Sequence, residues 1–379
     1  MRIAITDSQA EKGYTRYDHR FLYEVFDRLA KKYPVHEFVV IENNSPAAYR
    51  LTGPNIQTVI THPAFRTRPL QKFWYTHKLA SVLKKIKADV CVAGSGVCSL
   101  SSGIPQCLLL TALPFLPPAG TRQSLFSFYQ KNRPQFIAKA RRIITLSAAG
   151  KSNIVKGYAT DPSKISVVYG GVSPQFEPLH EEEKKRVKEK YTNGKEYFVC
   201  AAAAHSEAEL VCLLKAFSLF KKRQQSGMKL VMTEEGGRYQ HALTASIKNY
   251  KYREDVVITD RLTGEELRCI TAAAYASVFI TAFDDGGLPV LEAMKCGVPV
   301  ITASSPVMQE ITGEAALYAG AGDPGSIAGQ LMLLYKDENL RNDLIAKAGK
   351  VAEGYSWDRT AEEVWQVIQE IYGSAAPRM

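Results

Sequence analysis

The sequence predicts two doubly wound parallel α/β domains in tandem. Short apolar runs alternate with amphipathic helical segments along the chain, which is the pattern of a parallel sheet with helices on both faces. The alternation stops at a charged, turn-ended stretch near residues 180–194 and then starts again. A length of 379 residues fits two such domains better than one.

In order, the first half offers strands at residues 2–6, 35–41, 56–60, 90–93, 106–110, 142–146 and 165–168. Helices fit 17–32, 71–86 and 124–140. Residues 180–191 form a charged helical segment, and Thr192-Asn193-Gly194 is a turn. The expected division is therefore residues 1–180, residues 181–355, and a crossover helix and tail at 356–379. The second half offers strands at 197–201, 229–233, 256–259, 276–281, 298–302 and 316–318. Its helices fit 208–222, 240–250, 264–274, 288–295, 326–336 and 338–353. A last helix at about 357–372 carries Ala361, Val364, Trp365, Ile368 and Tyr372 on one face, so it packs against something. Ligands of such sheets bind beyond the carboxyl ends of the strands, here in a cleft that the two domains are expected to face across.

Composition narrows the function. The hydrophobic fraction of 46% is that of an ordinary globular protein. Residues 1–7 open straight into a strand-like run, so no secretory leader is expected. The apolar stretch 107–118 is too short and too rich in proline to span a bilayer. The seven cysteines are scattered and none has zinc-ligand spacing, which reads as buried thiols in a reducing cytoplasm. The net charge of +10 is unevenly spread: about +14 falls in residues 1–180 and about −4 in the rest. The excess clusters at 66–87 and 131–142. It is consistent with an acidic acceptor, with anionic membrane headgroups, or with solvated helix faces. Nucleic acid is not expected, because no recognised binding motif accompanies the charge.

The most informative stretch is 283–301, Phe-Asp-Asp-Gly-Gly-Leu-Pro-Val-Leu-Glu-Ala-Met-Lys-Cys-Gly-Val-Pro-Val-Ile. A glycine-rich turn precedes a short helix, and a Gly-Val-Pro turn leads on into an apolar strand. Such a turn presents backbone N–H groups to an anion at the helix start. Gly286, Gly287 and Leu288 are the candidates for that contact. Glu292, one to two turns inside the helix, is placed to accept hydrogen bonds from sugar or ribose hydroxyls. Two adjacent carboxylates, Asp284 and Asp285, would suggest a metal only if they converged, and no metal is expected.

With these residues in view, the chain resembles the GT-B fold retaining glycosyltransferases of family 4, the glycogen synthase and mannosyltransferase type. The likeness runs through Lys12-Gly13-Tyr14-Thr15-Arg16-Tyr17, residues 140–147, residues 164–172, the stretch at 283–301, Gly313-Glu314-Ala315-Ala316-Leu317-Tyr318 and Tyr355-Ser356-Trp357. The resemblance implies two Rossmann-like domains, with a C-terminal helix packing back toward the first. It implies a nucleotide diphosphate sugar as donor on the second domain and a glycan or lipid-linked acceptor on the first. It implies no metal and no further cofactor. The diphosphate leaving group is held by basic side chains and a helix N-terminus. Asp284 and Glu292 fall on the family's catalytic acidic pair. His205 and Arg238 fall among the donor-binding positions, with His205 read as a partner for a nearby backbone group rather than a catalytic base, and Gly13, Tyr14 and Thr111 on the acceptor-side loops. The expected setting is the cytoplasm, with the inner face of the cytoplasmic membrane as an alternative reached through the basic first domain.

The sequence departs from the family where the chemistry is done. Asp284 is one methylene shorter than the usual Glu, and Asp285-Gly286 stands where Gly-Phe is usual. The family's Arg-Lys pair is Glu207-Ala208 here, and Glu234-Glu235 follows the next strand. Carboxylates at positions where the family carries cations oppose the binding of a diphosphate. Arg238, Lys295 and Arg261 are the candidate replacements. A His-Asp pair common in relatives is Thr111-Ala112. Three functions follow: a nucleotide-sugar transferase, a catalytically impaired relative that binds a sugar nucleotide or a partner enzyme, and a sugar-binding scaffold without a nucleotide site.

Overall fold

The structure, a computed structural model, describes residues 1–7, 16–42, 51–61, 68–94, 96–110, 123–202, 205–233, 247–260, 262–281 and 286–374. The chain divides into two compact units, Met1–Gly171 with Trp357–Met379, and Val172–Ser356.

The first unit contains β1 (Arg2–Asp7), α1 (Arg16–Lys32), β2 (Glu37–Glu42), β3 (Ile56–Ile60), α2 (Arg68–Phe73), a π-helical turn (Trp74–Lys78) and α3 (Leu79–Lys85). It continues with β4 (Val90–Ala93), β5 (Gln106–Leu109), α4 (Gln123–Lys139), β6 (Arg142–Thr145), α5 (Ala148–Tyr158) and β7 (Ile165–Val167). The strands pair in the order β3-β2-β1-β4-β5-β6-β7, every pair parallel.

The second unit contains α6 (Glu181–Thr192), β8 (Tyr197–Ala201), α7 (Glu207–Gln224), β9 (Lys229–Thr233), β10 (Val256–Ile258), α8 (Gly264–Ala272) and β11 (Ala276–Phe279). After these come α9 (Leu288–Lys295), β12 (Val300–Ala303), α10 (Pro306–Thr312), β13 (Ala316–Ala319), α11 (Pro324–Lys336) and α12 (Glu338–Glu353). Its sheet runs β10-β9-β8-β11-β12-β13, again all parallel. Each sheet is a doubly wound Rossmann-type sheet, and its order reverses between β1 and β4 in one unit and between β8 and β11 in the other. Strands buried on both faces need continuous apolar sequence, and Val90–Ala93, Gln106–Leu109, Ala276–Phe279 and Val300–Ala303 are buried throughout.

The sequence and the structure differ at the domain boundary and at two helices. The second unit begins at Val172, nine residues before the break at 181, because Val172, Phe176 and Leu179 are buried in that unit's core. A single bridge between Val172 and Ser356 pins its two ends together. Helices α5 and α10 carry no strong apolar stripe and go unpredicted, although Ser147 and Ser305 cap them by accepting the N–H of Gly150 and Met308. The helix expected at 240–250 falls largely outside the described residues.

The closing helix, α13 (Trp357–Gly373), belongs to the first unit and packs on α1. Its buried face is Trp357, Ala361, Val364, Trp365, Ile368 and Ile371. The stripe ends on Ile371; Tyr372, expected on this face, is 41% exposed.

Candidate functional site

The switch point of the second sheet gathers the described site residues. Parallel β8 and β11 are neighbours there, yet the helices that follow them pass to opposite faces, which opens a crevice at the strand ends. From β8 the chain reaches His205 and enters α7. From β11 it passes Ile280 and Thr281 and, after residues 282–285, enters α9 at Gly286-Gly287.

The two helix starts at this point are built differently. Ser206 caps α7, and the Glu209 carboxylate accepts hydrogen bonds from the Ser206 N–H at 2.7 Å and its Oγ at 2.9 Å. This is a capping box, and it closes the end of α7 with the helix's own groups. Glu207 and Ala208 are exposed in the same first turn. The Ser-Glu-Ala-Glu sequence is thus a helix-start signal as well as a reversal of the Arg-Lys pair, since carboxylates in a first turn complement the helix dipole.

Helix α9 has no side-chain cap. Its N-cap is Gly287 at φ 58°, ψ 28°, a left-handed conformation that favours glycine. Pro289 brings no N–H, and the Leu291 N–H bonds the Gly287 carbonyl at 2.9 Å. Leu288 and Val290 are therefore the first-turn positions whose N–H groups precede the helix's own bonding. By contrast Ser147, Ser206, Thr263, Ser305, Asp323 and Asp337 cap their helices by side chain. A side-chain acceptor at α9 would stand where an external anion has to bind.

Glu292 is 5% exposed on the buried side of α9. A carboxylate is seldom buried so deeply without partners. Cys296 lies one turn further along. Its thiol is pushed up to about 12, first by burial and then by the charge of Glu292, so the carboxylate acts on the protein interior. Side chains on a helix lean toward its N-terminus, which aims Glu292 toward the uncapped end.

His205 is 2% exposed. Its Nδ1 lies 2.9 Å from the Ala201 carbonyl oxygen, and the Ile280 N–H donates to its Nε2 at 3.1 Å. Expected as a donor-binding residue, it has both ring nitrogens committed to backbone. Its ring is therefore a bridge between the two segments and not a face offered to a ligand. Burial holds its pKa below the usual histidine range, and the Ala201 carbonyl and the charge of Glu209 oppose that in part.

Among the other expected site residues, Gly286, Gly287 and Leu288 form the start of α9, and Glu292 lies about one turn inside it. Asp284, Arg238, Gly13, Tyr14 and Thr111 lie outside the described residues, as does Arg261. Lys295 sits in the last turn of α9, its backbone roughly 10 Å along the axis from the helix start. No group of three or more metal-binding side chains occurs among the described residues. No helix among them is long and apolar enough to cross a membrane.

Comparison with known proteins agrees with this geometry. Residues 181–351 match the family model of Glycosyl transferases group 1, and residues 19–176 match that of Glycosyltransferase Family 4. The O-antigen chain mannosyltransferase RfbU of Salmonella typhimurium is 25% identical over 325 residues, covering 84% of this chain and 85% of its own. The O-antigen chain mannosyltransferase B of Escherichia coli is 23% identical over 232 residues, 61% of each chain. Among solved structures, Anabaena HepE in complex with UDP and glucose superposes with a TM-score of 0.77 at 14% identity, covering 98% of this chain and 100% of its own. WaaG, a glycosyltransferase involved in lipopolysaccharide biosynthesis, gives 0.73 at 13% identity, covering 97% and 99%. At such identities the structures speak for the fold alone, and the fold is GT-B. Each unit of this GT-B fold thus carries a glycosyltransferase family match, Glycosyltransferase Family 4 over residues 19–176 and Glycosyl transferases group 1 over residues 181–351.

Proposed function

We propose that the protein transfers a hexose from a nucleoside diphosphate donor, bound by the second domain, to a glycan or lipid-linked acceptor, with retention of the anomeric configuration. The observation that carries this reading is the uncapped start of α9 at a sheet switch point, with Glu292 buried in the same helix. The anomeric C–O bond to the diphosphate breaks and a new bond to the acceptor oxygen forms. The acceptor's proton leaves with the nucleoside diphosphate. The charge that develops on the leaving oxygen is stabilised by the helix-start N–H groups, and Glu292 accepts hydroxyl hydrogen bonds that orient the sugar or ribose. Similar proteins support the reading: RfbU is a mannosyltransferase, and HepE was solved with UDP and glucose. The proposal includes no cofactor beyond the donor. A panel of nucleoside diphosphates and sugar nucleotides tests it by thermal stabilisation, since a ligand at a hundred times its Kd stabilises by about 2.7 kcal/mol. At least one is expected to raise Tm by several degrees, with transfer of labelled sugar to a lipid-linked glycan extract. No shift with any of them at millimolar concentration would overturn the reading.

A second reading, an impaired relative that binds a sugar nucleotide or a partner enzyme without turnover, is favoured by one observation. Glu207 and Ala208 occupy the exposed first turn of α7 where the family carries two cations. Charge reversal in E207R/A208K is expected to tighten nucleoside diphosphate binding by about 10-fold, read by calorimetry. An unchanged Kd would show that these positions do not face the diphosphate. Binding by the wild type without any turnover would select this second reading.

We place the acceptor chemistry at the inner face of the cytoplasmic membrane. Residues 43–160 contain sixteen Lys or Arg and one acidic residue, Asp89. On the same stretch α2 exposes Leu70 (38%) and Phe73 (54%) one turn apart, with Lys72 between them. Apolar insertion combined with basic charge is the pattern of an interfacial contact. Sedimentation with phosphatidylglycerol-containing vesicles is expected to fall about 10-fold or more in L70S/F73S and to fall steeply with salt. Equal binding to neutral vesicles would contradict the placement.

A further inference from the structure

We propose that His205 is a positioning residue of the donor site: its neutral imidazole is wedged into the ladder between β8 and β11 and sets how far these strands part at the switch point. This rests on the donor-site reading above, and its test is arranged to be independent of it.

The sheet register carries the inference. Ala276 pairs with Phe198 and Ser277 with Val199, and the pairing of these two strands goes no further. Continued in the same register, the next interstrand bonds of a parallel ladder would bring the Ile280 N–H directly onto the Ala201 carbonyl. Those two groups are the ones that His205 joins instead: Ala201 C=O on Nδ1 at 2.9 Å, Ile280 N–H on Nε2 at 3.1 Å. The ring replaces one ladder bond by two, in series, and holds the backbones one imidazole width further apart. Both strand-end groups remain bonded although the strands have separated, as buried backbone requires. The Phe279 ring, in an edge-to-face arrangement with its centroid 5.2 Å from that of the imidazole, fixes the wedge on the β11 side.

The wedge sits between the two segments that build the site. His205 directly precedes Ser206, the cap of α7. Ile280 is seven residues before Gly287, the uncapped start of α9. A change in the spacing of β8 and β11 therefore shifts the α9 donors relative to α7.

Only one protonation state fits. Nε2 receives an N–H and so carries no proton, and Nδ1 faces a carbonyl oxygen and so carries one; the tautomer is assigned from these partners. An imidazolium would set Nε2–H against the Ile280 N–H, two donors facing each other in a buried site. The titratable neighbours are Cys200 on β8, whose Sγ lies 3.8 Å from Nδ1 and which burial keeps as a thiol, and Glu209 on α7, whose carboxylate is engaged by Ser206. On β11 the neighbour is the uncharged Phe279.

His205→Gln supplies the same donor and acceptor without titrating, and His205→Ala removes both. Three measurements on the full-length protein test the wedge: amide exchange at Ile280, thermal stability between pH 5 and 8 without ligand, and the KM for the sugar nucleotide. H205Q should keep the Ile280 amide protected and lose the part of the wild type's destabilisation that sets in below the unfolded histidine's pKa of about 6.5. H205A should expose that amide and raise the donor KM about 10-fold or more, with a smaller change in the acceptor KM. An Ile280 amide equally protected in wild type and H205A, or an identical acid limb in wild type and H205Q, would overturn the wedge. If H205A does not fold, the H205Q comparison decides. If the wild type binds no nucleotide, the donor-site reading fails, while the exchange and pH comparisons still decide the wedge.

Discussion

Glu292→Gln is expected to lower kcat/KM for the sugar nucleotide by roughly 10- to 200-fold while leaving the fold intact. Gln matches Glu in shape, so the helix face against the core is preserved. What is lost is a charged acceptor for hydroxyl groups, and a hydrogen bond to a charged group is worth about 1.5–3 kcal/mol. The same substitution removes the negative charge that helps hold Cys296 at about 12, so the thiol should become easier to ionise. Steady-state kinetics and the pH dependence of Cys296 alkylation check the two halves. Unchanged kinetics with an altered Cys296 would show that Glu292 is a structural carboxylate of the core and not a ligand of the donor.

The second large effect concerns α13. Removing residues 357–379 is expected to unfold the first domain. Trp357, Val364, Trp365, Ile368 and Ile371 are each at most 2% exposed, and burial of such side chains stabilises by about 1.5–3 kcal/mol apiece. Together that is roughly 10 kcal/mol, as much as a whole domain's net stability. The ion pairs of Arg28 with Asp358, Lys32 with Glu362 and Arg142 with Glu370 lie at the surface and add little. The ring stack of Trp365 on Tyr33, with centroids 4.3 Å apart, adds specificity of placement. A milder form of the test is Trp357→Ala, which removes a side chain packed edge-on to Phe21 and should cost about 3–5 kcal/mol. Urea unfolding of the full chain reads both. A truncated protein with an unshifted first transition would contradict this role.

Much of the fold was legible in the sequence because buried parallel strands require continuous apolar runs, and these stand out between charged helices. The start of α9 was legible for a related reason: Gly286-Gly287-Leu288-Pro289 combines a left-handed cap with a proline in the first turn, and the structure shows that cap. Helices α5 and α10 were not, since Ala148-Ala149-Gly150 and the seven residues of α10 show little periodicity and are marked mainly by their caps, Ser147 and Ser305. That His205 partners backbone was legible in the sequence, but its place between the strands was not, because that depends on which backbone groups the register of β8 and β11 brings face to face. Glu207 was read as a reversed charge, while its neighbours Ser206 and Glu209 also spell a capping box. Local chemistry and family pattern compete at that helix, and the residues present satisfy the helix cap and not the family's pair of cations.

Backbone amide exchange along residues 279–296, measured with and without saturating nucleoside diphosphate, tests the central claim most directly. The account predicts new protection at Leu288 and Val290, the first-turn donors of α9, together with a smaller effect at Ile280. Tight nucleotide binding that leaves these amides unprotected would contradict it.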